Sequence, residues 1–430
     1  MNEKINIAIV GFGNIGSYFY NTLVKNIKNI SIKTGKTPVI KYISARNLGK
    51  KRFVKIPLSK WIKNPLELCF KKDVDVIIEL IGGSTGIAKE LVFLALQNKK
   101  HIITANKALI AKHGNKLAEL AEKNKINLEY EASVAGGVPV IRSIKEGLIG
   151  NKINKIYGIL NGTTNYILSN MEITGKNFSE VLKNAKKLGY AESNPASDLN
   201  GSDSAAKLRI LSSLAFNKSI STNTILTEGI QNINLVDILQ VKKLGYKIKL
   251  LSISEIKSNK LIERVHPCLI SNKSYMANID GELNAVALDG YPVGKTIFQG
   301  KGAGPGPTGS AIMSDLHSII KGTIKPPFGL ASNLRKKILK FDIQNNVSSS
   351  YIRIEVRDIP GVLSSITKIF AKNKISIKNL IQNPDKKNNK ASIIIITHGS
   401  LEKNYMNLLL NIVKNKFVLR KPTFIRVEKV

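Results

Sequence analysis

The sequence contains few cysteines and no long apolar run. Its two cysteines, Cys69 and Cys268, lie far apart in apolar surroundings. That pattern indicates neither a disulfide framework nor a zinc site, and it favours packing in a core. No apolar run approaches the roughly 20 residues that a membrane-spanning helix needs, and the first residues lead into a predicted strand rather than a signal peptide. We therefore expect a cytoplasmic protein that does not bind membranes.

Acidic residues are also scarce, since 30 Asp and Glu stand against 66 Lys and Arg, for a net charge of +36. Such an excess is typical of proteins that bind nucleic acids. Here the lysines are spread along the whole chain among Asn and Ile, and aromatic residues, which stack on bases, make up only 6%. We attribute the charge to a chain-wide drift in composition and expect no nucleic-acid partner. A genuine polyanion-binding surface is the alternative.

A chain of 430 residues has room for two or three domains. Over residues 1–130, strand-like apolar runs alternate with amphipathic helical patterns. This alternation predicts an α/β fold with a doubly wound parallel sheet of the Rossmann type. The predicted strands are 5–10, 39–44, 74–81, 101–104 and 127–130, and the predicted helices include 87–97 and 114–124.

The rest of the chain divides into two further units. Residues 131–335 mix strand and helix patterns, with apolar alternation at 153–160 and 246–253, and predict an α+β domain. The polar stretch 336–350 predicts a linker. Residues 351–430 predict a βαββαβ unit, with strands at 351–356, 375–381, 391–397 and 424–428 and helices at 360–372 and 401–413.

A glycine-rich turn follows the first predicted strand. Gly11, Gly13 and Gly16 lie between that strand and an amphipathic helix. This is the context in which a GxGxxG motif binds the pyrophosphate of a dinucleotide at a helix N-terminus. A structural glycine turn is the alternative.

The second predicted strand, where NAD-binding proteins usually carry an acidic residue, runs instead into Arg46, with Lys50, Lys51 and Arg52 nearby. An arginine at this position suits the 2′-phosphate of NADP. The alternative is that Arg46 is one more surface cation in a basic chain.

Residues 189–211 combine two carboxylates and a lysine. Asp203 and Lys207 are four residues apart, which places them on one face of a helix. Glu192 precedes them by a loop of turn-forming residues that can bring its carboxylate back over the start of that helix. The segment therefore predicts a substrate site, with an exposed ion pair after a surface loop as the alternative.

Three glycine-rich or small-residue segments follow predicted strands of the first two units. ELIGGSTG (79–86) ends a strand at the edge where open α/β sheets hold ligands. Lys107, in ITANKALIAKHG, follows the next strand and can meet both cofactor and substrate; a solvated lysine at a helix start is the alternative. EASVAGGVPVI (131–141) predicts a turn whose carbonyls can bind a cation or line a groove; a purely structural turn is the alternative.

Taken together in this order, the motifs resemble homoserine dehydrogenases of the monofunctional type with a C-terminal ACT domain. The resemblance covers nearly the whole chain, and because no aspartate kinase segment precedes residue 1 we expect the monofunctional form. Besides the glycine turn, the motifs are ELIGG, TANK, EASVAGGVPVI, GILNGTTNYIL (158–168), LGYAE with DLNGSDSAAKL, RVHP (264–267) and GKGAGPGPTGSA (300–311).

The resemblance implies reduction of L-aspartate 4-semialdehyde to L-homoserine with NADPH or NADH, on the route to threonine and methionine. It implies Lys207 as the general acid, Asp203 and Lys107 beside it, and Glu192 with Asp203 on the substrate ammonium. The implied cofactor residues are Gly11, Phe12, Gly13, Asn14, Ile15, Gly16, Arg46, Gly82, Gly83, Thr85, Lys107, Gly302 and Gly304. The implied ligands of a monovalent cation such as Na⁺ are Glu131, Val134, Gly136 and Val138.

The resemblance also implies that residues 131–335 bind substrate and dimerise, in a homodimer or homotetramer, and that residues 351–430 form an ACT domain. The DIPG turn of that domain places amides at a helix start, where an amino-acid carboxylate fits. Threonine is the implied effector, and a purely structural or dimer-forming module is the alternative. Two positions depart from the family pattern: Asn194 stands where Asp is usual before a proline, and Gly309 stands where Ala is usual.

Three other functions are weighed against this one. A non-catalytic, NADP-sensing regulator does not need Lys107, Glu192, Asp203 and Lys207 together. A nucleic-acid binder would show retention on DNA that depends on salt. Aspartate-semialdehyde dehydrogenase needs a nucleophilic cysteine in a site-like context, which neither cysteine has.

Overall fold

The computed structural model describes residues 3–47, 54–221, 223–385 and 388–430. Its N-terminal part alternates strands and helices, as predicted. These are β1 (Glu3–Val10), α1 (Asn14–Thr34), β2 (Lys36–Ser44), β3 (Val76–Glu79), α2 (Gly86–Gln97), β4 (His101–Thr104), α3 (Lys107–Lys123) and β5 (Leu128–Glu129). The strand order is β2-β1-β3-β4-β5 and all neighbouring pairs are parallel. The carboxyl ends of these strands therefore share one edge, where α/β sheets bind ligands.

Helix α3 begins earlier than the predicted start at Gly114. Asn106 caps it by accepting the Leu109 amide at 3.1 Å, which fixes the start at Lys107. Gly114 lies inside the helix, where an added Cβ would approach Ile220 to 2.6 Å. The glycine there permits close packing and does not begin the helix.

The middle part contains a second, antiparallel sheet with helices packed on it. Its elements are α4 (Val140–Arg142), β6 (Lys152–Ile159), α5 (Gly162–Thr174), α6 (Phe178–Lys187), α7 (Ala196–Leu199), α8 (Ser202–Ala215), β7 (Leu226–Thr227), α9 (Leu235–Lys243), β8 (Tyr246–Lys257), β9 (Lys260–Ser271), β10 (Leu283–Tyr291), β11 (Gly294–Lys301) and α10 (Pro305–Ile320). The order is β11-β10-β6-β8-β9, and α5 and α8 pack on β6, β8 and β10.

Helix α10 leaves this sheet and returns to the N-terminal one. Ile312 and Leu316 on α10 share a buried core with Phe19 and Leu23 on α1. The glycine-rich segment that precedes α10 is thereby held next to the edge of the N-terminal sheet.

The C-terminal part has the predicted βαββαβ order with one short additional strand. Its elements are β12 (Val347–Arg357), α11 (Val362–Lys372), β13 (Ile377–Asp385), β14 (Lys390–Thr397), β15 (Ser400–Leu401), α12 (Glu402–Val413) and β16 (Thr423–Val427). The strand order is β16-β12-β14-β13. Helix α11 buries Val362, Ile366 and Phe370, which are spaced along one face, against this sheet.

The predicted linker at 336–350 is too long, because residues 347–350 already belong to β12. The preceding residues are bonded to the middle part, where Ser219 donates to the Lys336 carbonyl at 3.1 Å and Leu261 to that of Leu339 at 2.8 Å. Strand β16 also pairs in parallel with β9, so the middle and C-terminal sheets are continuous. The C-terminal unit is thus attached by backbone hydrogen bonds as well as by the chain.

Among the described residues, no helix combines the length and apolar character needed to cross a membrane.

Candidate active site

The glycine-rich turn after β1 has the backbone geometry that a bound dinucleotide requires. Gly11 has a φ of +98°, and a Cβ there would lie 2.5 Å from the Leu80 carbonyl. A Cβ on Gly16 would lie 2.4 Å from the Gly11 oxygen, so α1 approaches β1 only because that side chain is missing. Around Gly13, no atom of the described residues lies within 4 Å of an added Cβ. The three glycines thus provide the tight turn, the close packing and the open approach to the backbone that pyrophosphate binding uses.

The first turn of α1 presents backbone amides. Its N-cap residue is Gly13, which has no side chain to cap the helix, and the turn carries no acidic residue. The amides of Asn14, Ile15 and Gly16 have no acceptor within the helix, and the helix dipole adds partial positive charge there. Phe12 is buried in the core below the turn. This part of the predicted cofactor site can receive a phosphate group.

Arg46 lies at the same sheet edge, because β2 neighbours β1. It follows β2 by two residues and its side chain is exposed. Lys50, Lys51 and Arg52, which the sequence places nearby, lie outside the described residues.

A buried carboxylate joins the loop after β3 to the last residue of β4. Glu79 accepts the amides of Ile81 and Gly82 at 2.7 and 2.9 Å, and the Thr104 hydroxyl at 2.6 Å. Sequence reasoning did not single out Glu79, although an acidic residue at the end of an apolar strand was a usable signal. The loop that it shapes contains the predicted cofactor residues Gly82, Gly83 and Thr85.

Asn106 fixes the start of the helix that carries Lys107. Its side chain donates to the Gly83 carbonyl at 2.7 Å while its oxygen caps α3. Lys107 is therefore the first residue of a helix that is tied directly to the predicted cofactor loop.

Lys107 and Lys207 meet on the two sides of Asp203. The Lys107 Nζ lies 2.7 Å from Asp203 Oδ1, and the Lys207 Nζ lies 2.8 Å from Oδ2. Asp203 and Lys207 lie one turn apart on α8, as predicted, whereas Lys107 comes from the edge of the N-terminal sheet. The Asp203 and Lys207 side chains are only 5% and 11% exposed. The alternative of an exposed surface pair is therefore wrong.

Lys207 is oriented by a second bond, because its ammonium also donates to the Leu160 carbonyl at 2.7 Å. A lysine ammonium has three N–H donors. With one on Leu160 and one on Asp203, a third remains for a ligand. The Lys107 side chain is more open, at 42% exposure.

Three further side chains complete the cluster. The Asn161 amide donates to Asp203 Oδ2 at 3.0 Å and to Asp198 Oδ1 at 2.7 Å, and its oxygen caps α5 by accepting the Thr164 amide. Glu192 is exposed and close enough to stabilise the charge of Lys107. Sequence reasoning missed Asn161 and Asp198, although both lie inside the motifs GILNGTTNYIL and DLNGSDSAAKL.

The charges of the cluster stabilise one another. Burial alone would raise the pKa of Asp203, but the two lysines outweigh it and hold that pKa far below its ordinary value. Burial alone would lower the pKa of Lys107, but Asp203, followed by Asp198 and Glu192, raises it above its ordinary value. Asp203 is thus ionised and Lys107 charged at neutral pH.

The loop predicted to bind a cation packs against the loop that contains the predicted cofactor residues Gly302 and Gly304. A Cβ on Gly136 would lie 2.4 Å from the Gly302 oxygen, and the Gly137 amide donates to the Lys301 carbonyl at 3.0 Å. Gly304 has a φ of +107° and is the N-cap of α10. Both predicted loops therefore lie at the junction between the N-terminal and middle parts.

Glu131 is buried at the base of the predicted cation loop. Its carboxylate accepts the amides of Ile141 and Arg142 at 2.9 and 2.7 Å. Burial raises the pKa of Glu131 to about 7, although these two amides oppose the shift. The carboxylate therefore anchors the residues that directly follow the loop of Val134, Gly136 and Val138.

The two departures from the family pattern are accommodated locally. Asn194 accepts the Ala196 amide at 3.3 Å, a turn contact that Asp makes equally well. At Gly309, an added Cβ would lie 3.1 Å from the Tyr18 ring, so the glycine allows α10 close to α1.

Both cysteines are buried. Cys268 lies 3.3 Å from the His266 Nδ1 atom, and with Glu428 these residues form a group of possible metal ligands. Arg264, however, donates to both oxygens of the Glu428 carboxylate, each at 3.1 Å. A cation there would have to displace an arginine, so the packing role that the sequence predicts for Cys268 is the better explanation.

The structure thus brings the predicted catalytic and substrate residues into one cluster at the ligand edge of the N-terminal sheet. The predicted pyrophosphate turn and the loops of Gly83 and Gly304 surround that edge. Two lysines and the carboxylate that they share thus lie at the same sheet edge as a helix start with uncapped amides. This combination suits reduction of a small carbonyl compound by a nicotinamide dinucleotide.

Comparison with known families agrees with this chemistry. The profile described as "Homoserine dehydrogenase" matches residues 139–317, "Homoserine dehydrogenase, NAD binding domain" matches residues 11–131, and "ACT domain" matches residues 350–402. Homoserine dehydrogenase of Neisseria gonorrhoeae is 39% identical over 437 residues, covering 100% of this chain and 99% of the relative.

Solved structures show the same likeness. A homoserine dehydrogenase from Thiobacillus denitrificans matches with a TM-score of 0.90 and 35% identity, covering 99% of this chain and 98% of that one. A homoserine dehydrogenase of S. aureus matches with a TM-score of 0.76 and 33% identity over 100% of both chains.

Proposed function

The chain belongs to the homoserine dehydrogenase family, and from this premise we propose how its residues carry out the reaction. The family activity is an oxidoreduction that interconverts L-aspartate 4-semialdehyde and L-homoserine with a nicotinamide cofactor. The observation that supports our assignment most strongly is the contact of both Lys107 and Lys207 with Asp203 at the sheet edge next to the glycine turn.

Lys207 is proposed as the proton donor. A bound reduced nicotinamide supplies the hydride that reduces the aldehyde carbon. As negative charge develops on the carbonyl oxygen, the remaining N–H of Lys207 donates to it and transfers its proton, which gives the alcohol. Leu160 and Asp203 hold the ammonium in place, so little reorganisation is needed at the moment of transfer.

The substrate carries an ammonium and a carboxylate, and the cluster offers partners of both signs. Glu192 and Asp203 are proposed as ammonium ligands, with Glu192 as the more accessible of the two. Both Asp203 oxygens already accept from lysines, so the substrate ammonium would share this carboxylate with the two lysine ammonium groups. Lys107, which is partly exposed between the units, is proposed to contact both substrate and cofactor.

NADP is proposed as the preferred cofactor, because Arg46 stands where NAD-specific sites place a carboxylate. The residues fit a dinucleotide, since Gly13 leaves its backbone open and the start of α1 presents uncapped amides. Initial rates of NADPH and NADH oxidation with L-aspartate 4-semialdehyde test both the activity and this preference. If the protein oxidised neither NADPH nor NADH in this assay, the proposed function would be refuted.

Replacing Gly13 by alanine should weaken NADPH binding at least about tenfold without loss of thermal stability. The added methyl group would stand where the pyrophosphate approaches the backbone, and it meets no atom of the described residues within 4 Å. Gly147→Ala is the matched control, because its added Cβ also meets no described atom within 4 Å and lies outside the glycine turn. Fluorescence titration measures the NADPH dissociation constants of the two variants. Equal NADPH affinities of Gly13→Ala and Gly147→Ala would refute the role of Gly13.

A monovalent cation such as Na⁺ is proposed to bind the loop that follows Glu131. The donor set of Glu131 and the carbonyls of Val134, Gly136 and Val138 consists of oxygen atoms only, which suits a hard cation. Gly136 has a φ of +47°, and this turn bends the loop. The cation would brace the loop that packs against Gly302.

Threonine is proposed as an effector of the C-terminal ACT domain. The DIPG turn ends in Gly361, the N-cap of α11, with a φ of +87°. Amides at this helix start suit a carboxylate, and the nearby Asp358 suits an ammonium. We expect threonine to inhibit NADPH oxidation, and Asp358→Ala to require at least about tenfold more threonine while the exposed control Asp385→Ala does not. A flat titration of the parent would favour a purely structural module.

A homodimer or homotetramer is proposed for the assembled enzyme, as the sequence resemblance implies. A cytoplasmic location is proposed from the sequence, which has neither a long apolar run nor a signal-peptide pattern.

A further inference from the structure

Two acidic residues of the cluster, Asp198 and Asp203, lie on either side of the short junction between α7 and α8. Asp198 is in α7 and Asp203 in the first turn of α8. Asn161 bonds to both carboxylates, which therefore lie close together. Residues 199–201 therefore connect the two residues whose carboxylates lie in the cluster.

The segment that follows β7 packs against this junction. The Ile230 amide donates to the Leu199 carbonyl at 2.9 Å. A Cβ on Gly229 would lie 2.1 Å from the same oxygen, so the two backbones touch. On the other side, a Cβ on Gly201 would lie 3.1 Å from the Thr227 methyl group. Residues 227–230 therefore support the junction directly.

Glu228, in the middle of this segment, is held by the C-terminal unit. Its two carboxylate oxygens accept from the Arg426 Nη1 and Nη2 atoms at 2.8 and 2.9 Å. Arg426 lies on β16 with a side chain only 2% exposed, and its Nε donates to Glu402 of α12 at 3.0 Å. A bidentate pair of this kind fixes geometry as well as charge.

We propose that Glu228 is a positioning residue, through which Arg426 of the C-terminal unit sets the placement of Asp198 and Asp203 in the substrate site. The chain of contacts runs from Arg426 to Glu228, through the adjoining Gly229 to the Leu199 backbone, and from there to the carboxylates. Movement of β16 relative to the middle sheet thereby alters substrate binding. The kinetic part of this inference rests on the proposed function.

A second ion pair across the same boundary provides the control. Asp237 on α9 is fully buried and accepts from Arg353 Nε at 2.6 Å and from the Tyr351 hydroxyl at 3.0 Å, both on β12. It joins the same two units as Glu228 does. However, Asp237 lies on α9, outside the supporting segment 227–230, and it bonds to β12 rather than to β16. Asp237→Asn therefore weakens the boundary without loosening the support of residues 199–201.

The test compares Glu228→Gln, Glu228→Ala and Asp237→Asn in the full-length protein. Glutamine keeps the shape of Glu228 but removes the charge and one acceptor, whereas alanine removes the contact. We expect KM for L-aspartate 4-semialdehyde to rise about 3- to 30-fold in Glu228→Ala and less in Glu228→Gln. The NADPH dissociation constant should stay within about twofold, and Asp237→Asn should lower thermal stability with KM near that of the parent.

Hydrogen–deuterium exchange gives a readout that does not depend on activity. Peptides covering 196–203 should exchange faster in both Glu228 variants and at the parental rate in Asp237→Asn. Unchanged exchange and KM in Glu228→Ala would overturn the inference while leaving the proposed function intact, as would equal changes in Glu228→Ala and Asp237→Asn. If the parent does not reduce the semialdehyde but exchange responds as expected, the proposed function fails and the positioning role stands.

Discussion

Replacing Lys207 by methionine should lower kcat for reduction of L-aspartate 4-semialdehyde by about 10² to 10⁴, the usual contribution of a positioned acid. Methionine keeps most of the apolar stem but has no proton to donate. Asp203 retains Lys107 and Asn161 as partners at 2.7 and 3.0 Å, so the site should keep its shape. NADPH affinity should stay within about twofold, because the cofactor turn lies on the N-terminal sheet.

Steady-state kinetics and fluorescence titration measure the two effects separately. Lys112→Met is the matched control, since Lys112 is an exposed lysine on α3, the helix that carries Lys107. It should leave both quantities unchanged. A Lys207→Met enzyme with parental kcat would remove Lys207 from the acid role.

Replacing Asp203 by asparagine should impair substrate binding, turnover and stability together. The side chain is only 5% exposed and neutralises two lysines. Its loss leaves both ammonium groups close together without a shared counter-ion. We expect kcat/KM to fall by at least about 10², because both lysines lose their placement. The free energy of unfolding should fall by about 3 kcal/mol at neutral pH, as for removal of one partner from a buried pair.

The stability loss should depend on pH in a defined direction. The two lysines hold the pKa of Asp203 below its ordinary value of 3.8 in the folded chain, so its contribution is complete above that value and is lost as pH falls below it. Urea unfolding of parent and Asp203→Asn should therefore differ more at neutral pH than at about pH 3.

Glu263→Gln controls for general destabilisation. Glu263 forms a buried pair with Lys218 at 3.1 Å, with exposures of 7% and 1%. It should lose comparable stability at neutral pH and keep parental kinetics. If Asp203→Asn retained the parental KM for the semialdehyde, Asp203 would have no contact with the substrate ammonium.

Much of the fold could be predicted because its signals are local. The alternation of apolar runs and amphipathic helices placed four of the five N-terminal strands within about two residues of their observed ends. The fourth strand, His101–Thr104, has the predicted ends. The spacing of apolar residues also predicted the βαββαβ order of strands and helices in the C-terminal unit. In its helix α11, Val362, Ile366 and Phe370 form one buried face.

The site could be predicted only where its contacts are short-range or carried by a motif. The spacing of Asp203 and Lys207 placed them on one helix face, and they form a bond of 2.8 Å. The bond from Asn161 to Asp203 spans 42 residues, and the bridge to Lys107 joins two units. Such contacts depend on how the sheets pack, and no local period in the sequence encodes them.

The continuity of the middle and C-terminal sheets is a contact of the same kind. It depends on parallel pairing of β16 with β9, opposite Cys268 and Leu269. A polar segment such as 336–350 predicts a linker on composition alone. In the folded protein its backbone forms hydrogen bonds with the backbone of Ser219 and Leu261, which are far from it in sequence.

The most direct test of the account is a single turnover of enzyme preloaded with NADPH and mixed with L-aspartate 4-semialdehyde. This measures the chemical step without product release. The parent and Lys112→Met should oxidise NADPH rapidly, whereas Lys207→Met should oxidise it at least about 10²-fold more slowly at saturating substrate. Equal single-turnover rates in the parent and Lys207→Met would contradict the central claim that the buried cluster around Asp203 performs the reduction.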